Sequence, residues 1–325
     1  MTTLLESTDL THSSSAVQRL RLNTAAVRVS LRWLGVRKTL TPEQQSEAAE
    51  SFGAQREFLS ARKKLLDTRH PAFKEVTAVR GQVVSHWKAN TLPFPEPGVR
   101  LIQQSRVESF NQAMLDFRRQ LQTAVLSLEE HYGELQSAAR RRLGRLYNSN
   151  DYPPTLEGLF EIDWDFPAVE PPDYLLQLNP ALYEQERVRV SARFEEAVRL
   201  AEQAFVNEFG RLVTHLAERL TADPGGDKKV FRDSAVNNLV EFFERFRQLD
   251  IGSNQELDDL VNRAQQVIKG VQTQELRDNN TLRQQIASQL NQVEQVLDGM
   301  IVDRPRRRIV RGIPSTNGAA HAIAH

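Results

Sequence analysis

Hydrophobic and polar positions change period once near the start of the chain and then keep a helical rhythm to the end. In "AAVRVSLRWLGV", Val27, Val29, Leu31 and Trp33 alternate with Arg28, Ser30 and Arg32. Period two with β-branched residues predicts a half-buried strand. Thr41-Pro42 then marks a helix start, with Thr as N-cap and Glu43 in the first turn. Ala48, Phe52, Leu59 and Leu66 follow at helical spacing, and His70-Pro71 ends that segment. A second helix is expected over roughly 72–88, with Phe73, Val76, Val83, Val84 and Trp87 on its apolar side.

The stretch "TLPFPEPGVRLI" interrupts the helices with Pro93, Pro95 and Pro97 at alternate positions, followed by Gly98. In an extended chain, alternate residues point their backbone groups to one edge. The three prolines therefore leave that edge without N–H donors, which suits an outer strand. Pro97-Gly98 fits the centre of a type II turn. Residues 91–95 and 98–102 then form a hairpin, with the strand at 26–34 as its third partner. A polyproline-II loop is the competing reading.

Beyond this point the spacing is helical. "SRVE" (105–108) reads as a capping box. It opens a helix whose stripe runs Val107, Phe110, Met114, Phe117, Leu121, Ala124, Leu128, His131, Leu135 and Ala138. A sustained seven-residue repeat implies coiled-coil-like packing. Residues 148–180 are rich in Pro, Asp and aromatics and predict an ordered connection. Asn179-Pro180 starts a second long helix, with Val190, Phe194, Val198, Ala201, Phe205, Phe209, Leu212, Leu216 and Leu220 on its stripe. "DPGG" (223–226) is a reversal. Three helices follow: about 227–249, one opened by the box "SNQE" (253–256), and about 274–300.

The fold class is thus mainly α. Long antiparallel coiled-coil-like helices pack with shorter ones, and a small antiparallel β element lies on the N-terminal side. The expected organisation is a flexible tail over 1–20, a small α+β region over 21–104, a long-helix bundle over 105–301 and a basic tail over 302–325.

Composition narrows the chemistry. The 325 residues carry 42 basic and 42 acidic side chains, so no net field steers the chain onto nucleic acid or an anionic membrane. The absence of cysteine rules out disulfides, thiolate catalysis and cysteine-ligated metals. No apolar run reaches the ~18 residues of a membrane helix. With no signal-like N-terminus, the expected location is cytoplasmic.

Candidate chemistry is sparse. The histidines form no HExxH or similar spacing. The nearest metal-like grouping is His131 with Glu130 and Glu134 on one helix. Because His131 falls on the apolar stripe, a core or interface histidine is the plainer reading. "EIDWDF" places Glu161, Asp163 and Asp165 at alternate positions. That spacing suits a divalent cation in principle but lacks the glycine turn and distal glutamate of an EF-hand. Neither a phosphate-binding glycine loop nor a GxSxG motif is present, and no cofactor is implied.

Two basic clusters stand out. Arg140, Arg141, Arg142 and Arg145 end the first long helix, where cations complement its dipole. Arg304, Arg306, Arg307, Arg308 and Arg311 crowd the C-terminal tail, and such an arm can contact phosphates or an acidic partner.

The blocks "LGRLYNSNDYP" (143–153), "KVFRDSAVNNLVEFFERFRQLDIGSNQELDDLV" (229–261) and "ELRDNNTLRQQI" (275–286), with the helix between Phe110 and Tyr132, resemble an uncharacterised helical family of bacteriophages and mobile elements. Members of that family are often encoded near a MoxR-like AAA+ ATPase and a von Willebrand-factor-A or cobaltochelatase-like protein. The resemblance implies a non-enzymatic adaptor or scaffold in an ATP-driven remodelling assembly, and it transfers no catalytic residue. A nucleic-acid accessory protein using the arginine tail is the alternative, and an enzyme with an unrecognised site is a third. Homo-oligomers through the long helices remain open, and no membrane partner is expected.

Overall fold

The computed structural model describes residues 15–221 and 233–302, the last two by backbone alone. Its element order begins with α1, described over 15–23. There follow β1 (Thr24–Arg32), β2 (Arg37–Thr39), α2 (Pro42–Glu50), β3 (Arg62–Lys64), α3 (Pro71–Ala89), β4 (Leu92–Pro93), β5 (Val99–Gln103), α4 (Val107–Glu130) and α5 (Tyr132–Leu143). Strand β6 (Glu161–Asp165) precedes α6 (Tyr174–Leu178), α7 (Pro180–Leu220), α8 (Ser234–Leu249), α9 (Gln255–Ile268), α10 (Thr273–Asp278) and α11 (Asn280–Val302). The fold is mainly α with long helices and a small antiparallel sheet, as the periodicity predicts. Helix α7 alone has 41 residues, a rod of roughly 60 Å at ~1.5 Å per residue.

The sheet has the order β4-β5-β1-β6, with every pairing antiparallel. The proline stretch makes its outer hairpin, with Leu92 opposite Leu101 and Pro93 opposite Arg100. The Val99 amide donates to the Glu96 carbonyl (3.1 Å), and Gly98 has φ +78°. These are the marks of a type II turn centred on Pro97-Gly98. Arg100 ties the hairpin to Thr91, just beyond α3: its Nε donates to Thr91 Oγ1 (2.6 Å) and its second amino group to the Thr91 carbonyl (2.8 Å), while the Thr91 hydroxyl donates to the Trp87 carbonyl of α3 (2.6 Å).

The fourth strand was not expected. "EIDWD" alternates as β1 does, and its buried Ile162 lies opposite Leu31. Its three acids hid that period behind a loop-like composition.

Compact packing divides the chain into two units. Among the described residues, the first comprises those up to Phe205 together with 240–259; the second comprises those of 206–239 and of 260–302. In the first, one core joins Val27, Ile102 and Ile162 of the sheet to Phe73, Val76 and Val83 of α3 and to Phe110, Met114, Leu121 and Leu128 of α4. Tyr152, Leu156 and Phe160 dock the segment before β6 onto this core, and Tyr152 donates to the Leu65 carbonyl (3.0 Å). Phe94 meets Phe194 of α7 edge-on at 5.6 Å, and Phe205 meets Phe246 at 4.9 Å.

In the second unit the buried Arg283 donates to the carbonyls of Arg219 (2.6 Å) and Leu220 (2.7 Å). It thereby satisfies orphan acceptors at the C-terminus of α7. Thr214 of α7 donates to Glu294 of α11 at 2.6 Å.

Several local expectations change. The tail expected over 1–20 is helical from residue 15, with Ala16 and Leu20 buried, and the hairpin strand expected over 91–95 is only Leu92–Pro93. The helix begun at Thr41 stops at Glu50; Thr41 caps it as expected and also forms a capping box with Gln44. Gly53 turns the chain with φ +64°, leaving Phe52 and Phe58 exposed. The expected long helix from 105 is broken at His131, whose amide bonds back to Leu128 and whose second neighbour is the weak helix former Gly133. Ser105 does not cap it; residues 104–106 form a 3₁₀ turn, and α4 starts without a side-chain cap. The expected helix over 274–300 breaks at Asn279, whose side chain accepts from the Leu282 amide (3.1 Å) and so starts α11 afresh. The reversal at 223–226 lies outside the described residues.

Candidate functional site

Strands β2 and β3 form a two-stranded sheet built almost wholly of cations, with Arg37 opposite Lys64, Lys38 opposite Lys63 and Thr39 opposite Arg62. Like charges directly opposite one another are unfavourable. One carboxylate compensates on the inner face. Asp151 accepts a hydrogen bond from Lys38 Nζ on Oδ1 and makes an ion pair with Lys63 Nζ through Oδ2, both at 2.6 Å. The side chains of Lys63 and Asp151 are 4% and 3% exposed, so that arm of the clasp is buried, whereas Lys38 is exposed. Burial alone would raise the Asp151 carboxyl; the hydrogen bonds from Lys38 and Lys63 more than offset that and hold it below the ordinary carboxylate range.

On the outer face Arg37, Arg62 and Lys64 are exposed. Beside them a groove of about 760 Å³ is lined by Arg37, Lys74 and Arg80 with Thr68 and Thr77 and by the apolar Trp33, Leu34, Val36 and Phe73, and no carboxylate contributes to it. Arg80 lies over the Trp33 ring at 5.5 Å. A smaller cavity of about 250 Å³ lies between Lys64, Arg69 and Arg142. Its one acid, Asp67, pairs with Arg142 (2.9 Å) and Arg69 (3.3 Å). The Arg69 amide, the Arg69 side chain and Arg142 hold the Asp67 carboxyl down at about 2. The cluster at 140–145 is thus partly spent on ion pairs, Arg145 with Glu47 (3.0 Å) among them, and partly adjoins the basic face.

A second grouping joins His70, at the start of α3, to His131 and Glu134 at the α4–α5 break. Their potential ligand atoms all lie within 4.8 Å of one another. The expectation for His131 changes here. At the break the apolar spacing slips from three to four, so Tyr132 enters the core and His131 is exposed. Glu130, also exposed, is not part of the grouping. His70 was missed because it lies on another element 61 positions earlier, and only the packing of α3 on α4 brings it there.

The carboxylates of 161–165 do not converge. Glu161 pairs with Arg32 (2.9 Å), Asp163 with Arg118 (3.1 Å) and Asp165 with Arg28 (2.5 Å). Two of these join directly opposite residues of β1 and β6, so they are cross-strand pairs of the sheet. Arg304, Arg306, Arg307, Arg308 and Arg311 lie outside the described residues.

A third feature is apolar. From Pro172 to Val188 only Leu175, Tyr183 and Glu186 are even half-buried. Tyr174, Leu176, Leu178, Leu182 and Val188 are all exposed, Leu178 to 75% and Val188 to 66%. Among the described residues no helix is long and apolar enough to cross a membrane. No family model, no curated protein and no solved structure matches the chain.

Proposed function

We propose that this chain is a non-enzymatic helical adaptor or scaffold that docks a protein partner through α6 and the first turns of α7. The exposed apolar run over 174–188 carries the reading. Large apolar side chains crowded on one segment cost hydration free energy that a partner's surface would recover. The partner class, a MoxR-like AAA+ ATPase or a von Willebrand-factor-A protein, comes from the sequence resemblance, as does the phage or mobile-element setting.

The test is affinity purification with mass spectrometry from the native host, comparing the wild type with Leu178→Asp/Val188→Asp. Recovery of such an ATPase or its companion by the wild type, and its loss in the variant, supports the proposal. A wild type that recovers neither refutes the assignment of partner.

A second reading, a nucleic-acid accessory protein, is favoured by the carboxylate-free groove of Arg37, Lys74 and Arg80. Cations held without acidic partners suit phosphates, whose neutralisation releases counterions. Its test is fluorescence anisotropy with a labelled oligonucleotide at rising salt. Arg37→Glu/Lys74→Glu should abolish binding by a chain lacking 303–325. If the intact chain shows no binding at low salt, this reading is refuted.

A further inference from the structure

We propose that His70, His131 and Glu134 form a site for a borderline divalent transition metal, Zn²⁺ or its chemical neighbours Co²⁺ and Ni²⁺. Two imidazoles and one carboxylate are a donor set such ions favour, whereas Mg²⁺ and Ca²⁺ prefer oxygen alone. The ligands come from two separate places in the fold. His131 is the single residue between α4 and α5, with φ −95° and ψ −1°, and Glu134 follows three positions on. His70 precedes α3.

The distances are close to what an ion needs. The two imidazole centroids are 5.1 Å apart with planes inclined at 55°. His131 Nδ1 is 4.0 Å from a Glu134 carboxylate oxygen, and the whole set spans at most 4.8 Å. Bonds of about 2.0–2.1 Å place tetrahedral ligand atoms ~3.3 Å apart. Closure therefore requires a shift of about 1.5 Å or less, shared among side chains of which two are exposed. Three protein ligands leave a fourth position for water.

His70 supplies an independent reason. It stands at the N-cap of α3 yet makes no capping hydrogen bond with its side chain. Its Nδ1 is buried and has no hydrogen-bond partner. Buried polar atoms are nearly always satisfied, so the unpartnered Nδ1 of His70 calls for another use. Bound metal would pin the start of α3 to the break between α4 and α5. It would stiffen the one point at which the heptad stripe of the first long helix slips.

The experiment is isothermal titration of the full untagged chain with ZnCl₂, alongside Co²⁺ absorption and thermal unfolding with and without Zn²⁺. The expected result is one tight equivalent, a tetrahedral Co²⁺ spectrum and a Zn²⁺-dependent rise in Tm. His70→Asn and His131→Asn should each weaken binding at least about tenfold and remove the rise in Tm. MgCl₂ should do nothing.

His70→Asn decides the case, because no sequence-local pair explains its effect. Unchanged Zn²⁺ affinity in that variant overturns the site. So does binding that disappears only when His12, His321 and His325 are replaced, and so does a wild type that takes up no Zn²⁺. If His70→Asn does not fold, Glu134→Gln at its exposed helical position carries the same test. There too, unchanged affinity overturns the three-ligand site.

Discussion

Replacing Asp151 with alanine should unfasten the basic hairpin. Lys63 Nζ would keep the Leu146 carbonyl at 2.6 Å as acceptor but lose its counter-ion in a position where its side chain is 4% exposed. Breaking a buried pair by deleting one member costs about 3–5 kcal/mol, because the surviving charge stays desolvated. For a unit of this size that is a fall of ~6–20 °C in Tm at about 2–4 °C per kcal/mol. Urea unfolding followed by circular dichroism measures the loss. Hydrogen exchange locates it at the Leu40 and Leu65 amides, which bond to the Ala61 and Val36 carbonyls (3.2 and 2.8 Å).

A double change, Asp151→Asn with Lys63→Met, should recover most of the stability, because it removes both charges. The pH dependence has a definite sign. The folded carboxyl lies below its unfolded value. The clasp is therefore at full strength above the unfolded value near ~4 and is lost as pH falls through the folded one. An Asp151→Ala variant within about 1 kcal/mol of the wild type would show that the pair behaves as a surface bridge and would refute the reasoning.

Three other outcomes are expected. Burial, then the nearby Asp250 and Asp259, push the Asp258 carboxyl up to about 6. The penalty accrues as pH rises from the unfolded value near ~4 to the folded one, so Asp258→Asn should stabilise the chain at pH 7.5 by about 1 kcal/mol after discounting for partial exposure, by about half of that at pH 5 and by nothing at about pH 3, as read by urea midpoints across that range. Gly98→Ala forces an alanine to φ +78° with open space around it, so the cost is pure backbone strain of about 1–2 kcal/mol, measured by denaturant unfolding. Arg283→Ala strands two acceptors at the end of α7 and should cost the unit containing α11 about 2–4 kcal/mol, visible as faster exchange of the α11 amides.

The sheet was legible wherever backbone chemistry itself alternates. Gly98 fixes the turn, so hairpin and third strand follow from local rules, but of the three prolines only Pro93 lies within β4, and Pro95 and Pro97 belong to the turn. β6 obeys the same period, but its outward positions carry acids whose partners, Arg28, Arg32 and Arg118, are distant in sequence. Until those arginines are placed opposite, "EIDWD" looks like solvated loop. The same holds for "RKT" and "RKK". Neither carries apolar alternation, and the carboxylate that compensates the pair, Asp151, lies 87 or more positions away in the sequence.

The candidate sites failed to show for a related reason. A helix face can be read from i, i+3 and i+4, and Glu134 beside His131 was visible in that way. His70 reaches them through tertiary packing, which no spacing rule encodes. Arg37, Lys74 and Arg80 likewise sit on a strand edge and two turns of a helix, too far apart to read as a cluster. The arginine runs at 140–145 and 304–311 are contiguous and so visible in the sequence, whereas the cations of this groove are dispersed. In a chain with 42 cations balanced by 42 anions, the informative quantity is not how many arginines lie together but which of them the fold leaves without an acid.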